Sequence, residues 1–276
     1  MLKAYSYAKI NLFLYVTSKR ADGYHDLYSL ITRVNLFDFV ALKKNEKFCI
    51  QSNIIELSDS TKNVIYKLYL KLKDKYNIKP CKVILYKNIP IGAGLGGGSS
   101  NASVFLELLT KLYKLPLSLE EKNSLLSTLS ADSPYFLYTG ARIVTGIGNI
   151  ISNEIILPKF YILLLKPPIS LLTKEIYESG YVNITLEPPT IKSNLLFYNN
   201  LMKYIHNDLE EAVFYKEPYI MELKKLLKKH GADASLVTGS GSAFFGIFSS
   251  KLALINAYNY FHHNFNDLKV YKLTNI

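Results

Sequence analysis

Apolar residues alternate with others at the start of the chain. Ile10, Leu12, Leu14 and Val16 recur every second position against Asn11, Phe13 and Tyr15, which predicts a strand over residues 2 to 17. Lys19-Arg20-Ala21-Asp22-Gly23 follows, and its Asp-Gly pair is a turn signal. Residues 27 to 51 read as further strands. From Asn63 to Lys75 the period changes to that of a helix, with Val64, Leu68 and Leu72 on one face. Lys82 to Tyr86 reads as a strand that ends at Asn88-Ile89-Pro90, and after a glycine-rich stretch a helix runs to Tyr113. Ser118 to Leu129 is a second helix, in which Ser118 and Glu121 have capping-box spacing. Further on, strands are predicted at Arg142 to Thr145, Tyr161 to Leu165 and Ala243 to Phe248. Helices are predicted at Leu195 to His206 and Pro218 to Lys229, after a proline-containing interruption from Glu187 to Ser193. The pattern is α+β in two halves, divided near residue 150 into 1–150 and 151–276.

Composition narrows the picture. The chain has 276 residues, 49% hydrophobic and 20% charged, which is a globular balance with enough chain for a substantial core. Apolar runs such as Phe160 to Leu165 are far too short to cross a bilayer, and the first residues lack the apolar stretch of a signal peptide. The expectation is a cytoplasmic protein with no membrane partner. In that setting Cys49 and Cys81 are expected as free thiols, and neither has a Cys or His at zinc-ligand spacing. The net charge of +11 suits attraction to phosphorylated molecules or nucleic acid. The lysines are scattered, however, and the densest group, Lys224-Lys225 with Lys228-Lys229, lies opposite Leu223, Leu226 and Leu227 on a solvated helix. No RNA- or DNA-binding motif accompanies them, so no nucleic-acid partner is expected; a salt titration against a random oligonucleotide tests that alternative.

The chemistry concentrates in Pro90-Ile91-Gly92-Ala93-Gly94-Leu95-Gly96-Gly97-Gly98-Ser99-Ser100-Asn101-Ala102, with five glycines in seven residues. Missing Cβ atoms let backbone N–H groups approach an anion closely. The helix that follows, with Phe105, Leu108, Leu109 and Leu112 on one face, adds free N–H donors and the positive end of its dipole. Ser99 and Ser100 offer hydroxyls to phosphate or Mg²⁺. A Walker A loop would need a lysine at its end, and none is present. Gly92, Gly94 and Gly97 match a dinucleotide fingerprint literally, without the acidic residue that should follow about 20 positions on.

Two further anchors stand with this loop. They are Ala8-Lys9-Ile10-Asn11-Leu12 with Arg20-Ala21-Asp22-Gly23-Tyr24-His25, and Thr238-Gly239-Ser240-Gly241-Ser242-Ala243. Together the three resemble the kinase superfamily of galactokinase, homoserine kinase, mevalonate kinase and phosphomevalonate kinase. Ala131-Asp132-Ser133-Pro134 and Asn207-Asp208-Leu209 fall in the expected order between the anchors, so the resemblance spans most of the chain. The Ala-Asp-Gly-Tyr-His segment is similar to the branch that acts on 4-diphosphocytidyl-2-C-methyl-D-erythritol in non-mevalonate isoprenoid synthesis. The chain departs from the family pattern at Tyr7, where proline is usual, at Ser130, where glycine is common, and at Asn149, where glutamate is frequent.

The resemblance implies a two-domain α+β kinase fold, ATP and Mg²⁺ as cofactors, and a small-molecule alcohol carrying a cytidine diphosphate as substrate. The N-terminal half would bind ATP and the C-terminal half would lie on the substrate side. It implies ATP binding by Pro90, Gly92, Gly94, Leu95, Gly96, Gly97, Gly98, Ser99 and Ser100. Asp132 becomes the candidate general base through the resemblance, whereas by sequence alone it reads rather as a turn cap before Ser133-Pro134. Lys9 becomes its partner; set among apolar residues, an unpaired lysine there would be costly. Asn11, two residues on, shares its strand face and could contact substrate or hold Lys9. Tyr24, His25 and Tyr177 would form a cytosine pocket. Gly239, Ser240 and Gly241 form either a turn near the phosphates or substrate tail, or a plain hairpin. The metal ligands and the oligomeric state are left open.

Overall fold

The computed structural model describes residues 1–58, 61 and 63–276. They form two compact units, one of residues 1–8, 36–90 and 96–139, the other of residues 9–35, 91–95 and 140–276. A single cut at residue 150 does not separate these units. Strands β1 (Leu2–Lys19) and β2 (His25–Lys44) each have residues in both, and 91–95 belongs with the later part of the chain.

The first unit is a small sheet covered by helices. Here β2 pairs antiparallel with β4 (Cys81–Tyr86), which pairs parallel with β3 (Cys49–Ser52). Cys81, Val83 and Leu85 alternate inward along β4, as a half-buried strand requires. They meet Ile65, Leu68 and Leu72 of α1 (Val64–Lys73) and Phe105, Leu108 and Leu109 of α2 (Gly97–Tyr113) in one core. Asn63 caps α1 by accepting a hydrogen bond from Ile65 N at 3.0 Å. The capping box of α3 (Leu119–Ser127) forms as expected, with Ser118 N donating to Glu121 Oε2 and Glu121 N donating to Ser118 Oγ. Both cysteines are free thiols, and burial pushes Cys81 up to about 12, which keeps it an unreactive thiol.

In the second unit β2 continues antiparallel to β5 (Ala141–Gly146), and β5 to β6 (Ile150–Ile155). A separate antiparallel sheet contains β7 (Tyr161–Lys166). After β7 come α4 (Thr173–Tyr177), α5 (Tyr198–Met202) and β8 (His206–Asn207), which pairs parallel with β1. Then follow α6 (Glu210–Lys216), α7 (Pro218–Lys229), β9 (Ala234–Val237), β10 (Phe244–Phe248), α8 (Lys251–Asn264) and β11 (Lys269–Thr274). The separate sheet has the order β11-β7-β10-β9. Its Leu163, Leu165, Phe244 and Phe248 share a core with Ile220, Leu223 and Leu227 of α7 and Leu254, Ala257 and Phe261 of α8. The helix expected over Leu195 to His206 shrinks to α5. Ile156 N donates to Asn194 O and Leu196 N donates to Ile156 O, so the preceding backbone is committed to a bridge. No helix among the described residues is long and apolar enough to cross a membrane.

Candidate active site

Strand β1 carries Lys9 and Asn11, both almost wholly buried. Being two residues apart, they project to the same side, and Lys9 Nζ donates to Asn11 Oδ1 at 2.7 Å. Asn11 is fixed in turn: its amide nitrogen donates to Ser29 Oγ at 2.8 Å, and its backbone N donates to Thr238 Oγ1 at 3.1 Å. A buried ammonium anchored by a locked amide is a preorganised positive charge, the kind of group that stabilises developing negative charge.

Two glycine turns of the same unit meet these side chains. Lys9 N donates to Leu95 O at 3.0 Å, which ties the first turn to β1. Gly94 has φ +72°, and a Cβ there would lie 2.4 Å from Thr238 O and 3.0 Å from Gly241 O. The second turn follows β9, with Gly241 N donating to Thr238 O. At Gly239 (φ +58°) a Cβ would stand 3.5 Å from Asn11 Oδ1, 3.6 Å from Gly94 O and 3.6 Å from Lys9 Nζ. So Lys9, Asn11, Gly94, Leu95, Gly239 and Gly241 are brought together. Ser240 points to Thr173, with hydroxyl oxygens 2.9 Å apart. Gly92 lies beside Ser170.

The remaining loop residues belong to the other unit. Gly96 turns the chain into α2 with φ +66°. The N–H groups of Gly97, Gly98 and Ser99 lie in the first helical turn, where no intrahelical acceptor exists, and no acidic side chain occupies that turn. This is a backbone surface suited to phosphate oxygens. Gly98 is exposed, and a Cβ there would meet nothing within 4 Å. Ser99 Oγ lies 2.7 Å from Ser130 Oγ, and Ser130 Oγ lies 2.6 Å from Ser133 Oγ. Ser103 Oγ donates to Ser133 O at 2.6 Å. These bonds fasten the turn that carries the half-buried Asp132 to the start of α2. Ser100 is buried and accepts from Ser6 Oγ at 2.7 Å, which leaves Ser99 as the accessible hydroxyl. Pro90 is half-buried at the entry to the loop.

The aromatic candidates divide. His25 and Tyr177 stack with ring centroids 4.9 Å apart and planes at 27°. Burial, with a smaller contribution from Lys19, lowers the His25 pKa from its ordinary value, so its ring is neutral near pH 7 and can accept as well as donate. Tyr24 sits in the preceding turn, 60% exposed. There its N–H donates to Asp22 Oδ1 and its carbonyl accepts from Arg20 N.

Two features carried no assigned role in the sequence reading. Asn207 donates through its side-chain amide to Val237 O and to Gly239 O, each at 2.8 Å, and accepts from Leu209 N at 3.0 Å. It thereby holds the second glycine turn. The other is a buried cluster of Asp38, Lys87 and Asn101 beside the start of α2. A charged residue between Phe37 and Phe39, in a run of apolar strand positions, was the available signal for it.

Residues 63–140 match the GHMP kinases N terminal domain, and residues 193–267 match the GHMP kinases C terminal domain. The chain is 35% identical to a 4-diphosphocytidyl-2-C-methyl-D-erythritol kinase of Thermodesulfovibrio yellowstonii, over 95% of this chain and 94% of that one. It is 37% identical to a kinase of the same name from Azobacteroides pseudotrichonymphae, over 95% and 99%. Among solved structures it resembles a 4-(cytidine 5'-diphospho)-2C-methyl-D-erythritol kinase, with TM-score 0.83, 26% identity and 99% of each chain covered. Homoserine kinase of Cytophaga hutchinsonii shares the fold, with TM-score 0.72 and 16% identity over 100% of this chain and 94% of that one.

Proposed function

The chain belongs to the GHMP kinases, and within them to the family of 4-diphosphocytidyl-2-C-methyl-D-erythritol kinases; from that premise we propose that it transfers the γ-phosphate of ATP to the C2 hydroxyl of 4-diphosphocytidyl-2-C-methyl-D-erythritol. The observation that carries the reading is the meeting of Lys9 and Asn11 with the two glycine turns, in which Gly94 and Gly239 have no room for, or no tolerance of, a side chain. The protein would work in the cytoplasm on a soluble small molecule. The unit that carries α2 would handle the phosphates of ATP, and the unit that carries Tyr24, His25 and Tyr177 would handle the cytosine of the acceptor.

Phosphoryl transfer needs little covalent help from a protein and much positioning and charge stabilisation. The backbone N–H groups of Gly97, Gly98 and Ser99 would hold the nucleotide's phosphates. The carboxylate of Asp132 would take the proton of the C2 hydroxyl as that oxygen attacks the γ-phosphorus and ADP leaves. Such a base contributes roughly 10²–10⁴-fold. The Lys9 ammonium, aimed by Asn11, would offset negative charge on the transferring group. His25 and Tyr177, already stacked, would present a flat surface and a ring nitrogen to the cytosine, with Tyr24 closing over it.

Magnesium fits this arrangement loosely. Among the described residues no cluster of three or more His, Cys, Asp or Glu could hold a metal. Mg²⁺ at nucleotide sites takes most of its ligands from phosphates and water, and the Ser99 hydroxyl at the helix start would offer it a protein oxygen. When bound, the ion would neutralise charge on the β- and γ-phosphate oxygens.

An ADP-release assay tests the proposal. The diphosphocytidyl acceptor should turn over, while mevalonate and homoserine should not. Free CMP should compete with the acceptor and not with ATP. Equal use of the three alcohols, or competition between CMP and ATP, would overturn the substrate assignment.

A further inference from the structure

The glycine loop leaves β4 through Lys87-Asn88-Ile89-Pro90 and enters α2 at Gly96. Both ends are fastened to one buried group. Asp38 of β2, with no solvent exposure, accepts hydrogen bonds at Oδ1 from Asn88 N and Ile89 N, each at 2.8 Å. Its other oxygen receives the Lys87 ammonium in an ion pair and the Asn101 amide at 2.8 Å. Lys87 Nζ also donates to Asn101 Oδ1 at 3.0 Å, and the Asn101 amide donates to Ser6 Oγ at 2.8 Å. The backbone of Lys87 is held by Asn53, whose Oδ1 accepts from Lys87 N at 2.7 Å and whose amide donates to Lys87 O at 3.0 Å. Asn101 lies in the second turn of α2, one residue after Ser100. A Cβ at Gly97 would lie 3.1 Å from Lys87 Nζ, so the ammonium sits directly beneath the first helical residue.

A buried ion pair is a poor device for stability, because desolvation offsets most of the attraction and an apolar replacement of similar volume is often as stable. Burial here lowers the Lys87 pKa even with Asp38 beside it. What the cluster does well is fix geometry: one carboxylate fixes the strand exit, the ammonium and the helix entry together. We propose that Asp38, Lys87 and Asn101 are positioning residues that preset the two ends of the glycine loop for the phosphates of the nucleotide. The inference rests on the reading of this loop as the ATP cradle.

The test uses the whole chain and separates KM from kcat. Asn101→Ala removes one arm of the cluster. The double variant Asp38→Leu with Lys87→Met removes the charges together and replaces them with apolar volume, so neither charge is left unpaired. In both, KM for ATP should rise about 5- to 20-fold, while KM for the acceptor stays within about twofold and kcat within about threefold. A role confined to holding the fold would instead lower the active fraction, and with it the apparent kcat, at unchanged KM for ATP. A folded variant of either kind with wild-type KM for ATP overturns the inference, and Asn101→Ala decides alone if the double variant does not fold. Wild-type protein that transfers no phosphate from ATP would instead overturn the reading of the loop itself.

Discussion

Gly98 offers a clean separation of what the fold needs from what the ligand needs. It lies in the first turn of α2, exposed, without a left-handed backbone, and a Cβ there would meet nothing within 4 Å. The fold therefore has no steric use for glycine at this position. Gly98→Ala should stabilise the protein by about 0.5–1 kcal/mol, through the lower backbone entropy of the unfolded chain and the better helix propensity of alanine. For a chain of this size that is an increase of about 1–4 °C in Tm. If phosphate oxygens press on the N–H groups of this turn, the same methyl group intrudes on them. Crowding of a close contact by a methyl costs about 1–3 kcal/mol, which corresponds to a rise of roughly 5- to 150-fold in the KM for ATP. Thermal denaturation and steady-state kinetics on one preparation read both effects. A variant that gains stability and keeps its KM for ATP would refute the placement of phosphates on this turn.

Gly94→Ala should do the opposite. Its φ of +72° and the 2.4 Å approach to Thr238 O make strain of about 1–2 kcal/mol and overpacking of about 1–3 kcal/mol additive costs, seen as a lower Tm together with lost activity. Asp132→Asn should lower kcat by roughly 10²-fold or more, and adding Lys9→Ala should cost less than the sum of the single losses; additive losses would mean independent roles. His25 gives a pH signature. Its folded pKa is depressed, so its contribution to stability is full above the unfolded value of about 6.5 and is lost as pH falls through the folded value. The fall in Tm between pH 7.5 and pH 5.5 should therefore be smaller in His25→Phe than in the wild type, and an unchanged fall would remove His25 from the account.

Local signals in the sequence carried far where one segment decides its own structure. The Ser118–Glu121 capping box, the period of α2 and the Asp22-Gly23 turn depend on residues within a few positions, and each forms as read. The alternation of β1 announced a strand over residues 2 to 17, and the strand runs from Leu2 to Lys19, with buried residues on both faces from Ala8 to Val16. In α8, Tyr258, Tyr260 and Phe261 blur the helical period, and that helix was not anticipated. The segment before α5 carries apolar residues at helical spacing, and a backbone bridge to Ile156 overrides them. In the site, Lys9 and Asn11 could be paired from their spacing. The cluster of Asp38, Lys87 and Asn101 could not, because it joins three segments whose proximity exists only after β2, β4 and α2 have packed. The same holds for Asn207 and the turn it secures.

Asn207 has a consequence for how this chain can change over generations. Both hydrogens of its amide are given to carbonyls and its oxygen takes an N–H, so both of its donors are used and its oxygen is engaged. Aspartate matches it in size but offers two carbonyls a negative charge where they require donors. Glutamine has the right groups on a stem one carbon too long for a buried position. Serine and alanine leave at least one carbonyl unanswered, at about 1–3 kcal/mol each. None of these four replacements keeps all three bonds, so each of them carries a cost at this position unless the turn from Thr238 to Ser242 is rebuilt in the same step.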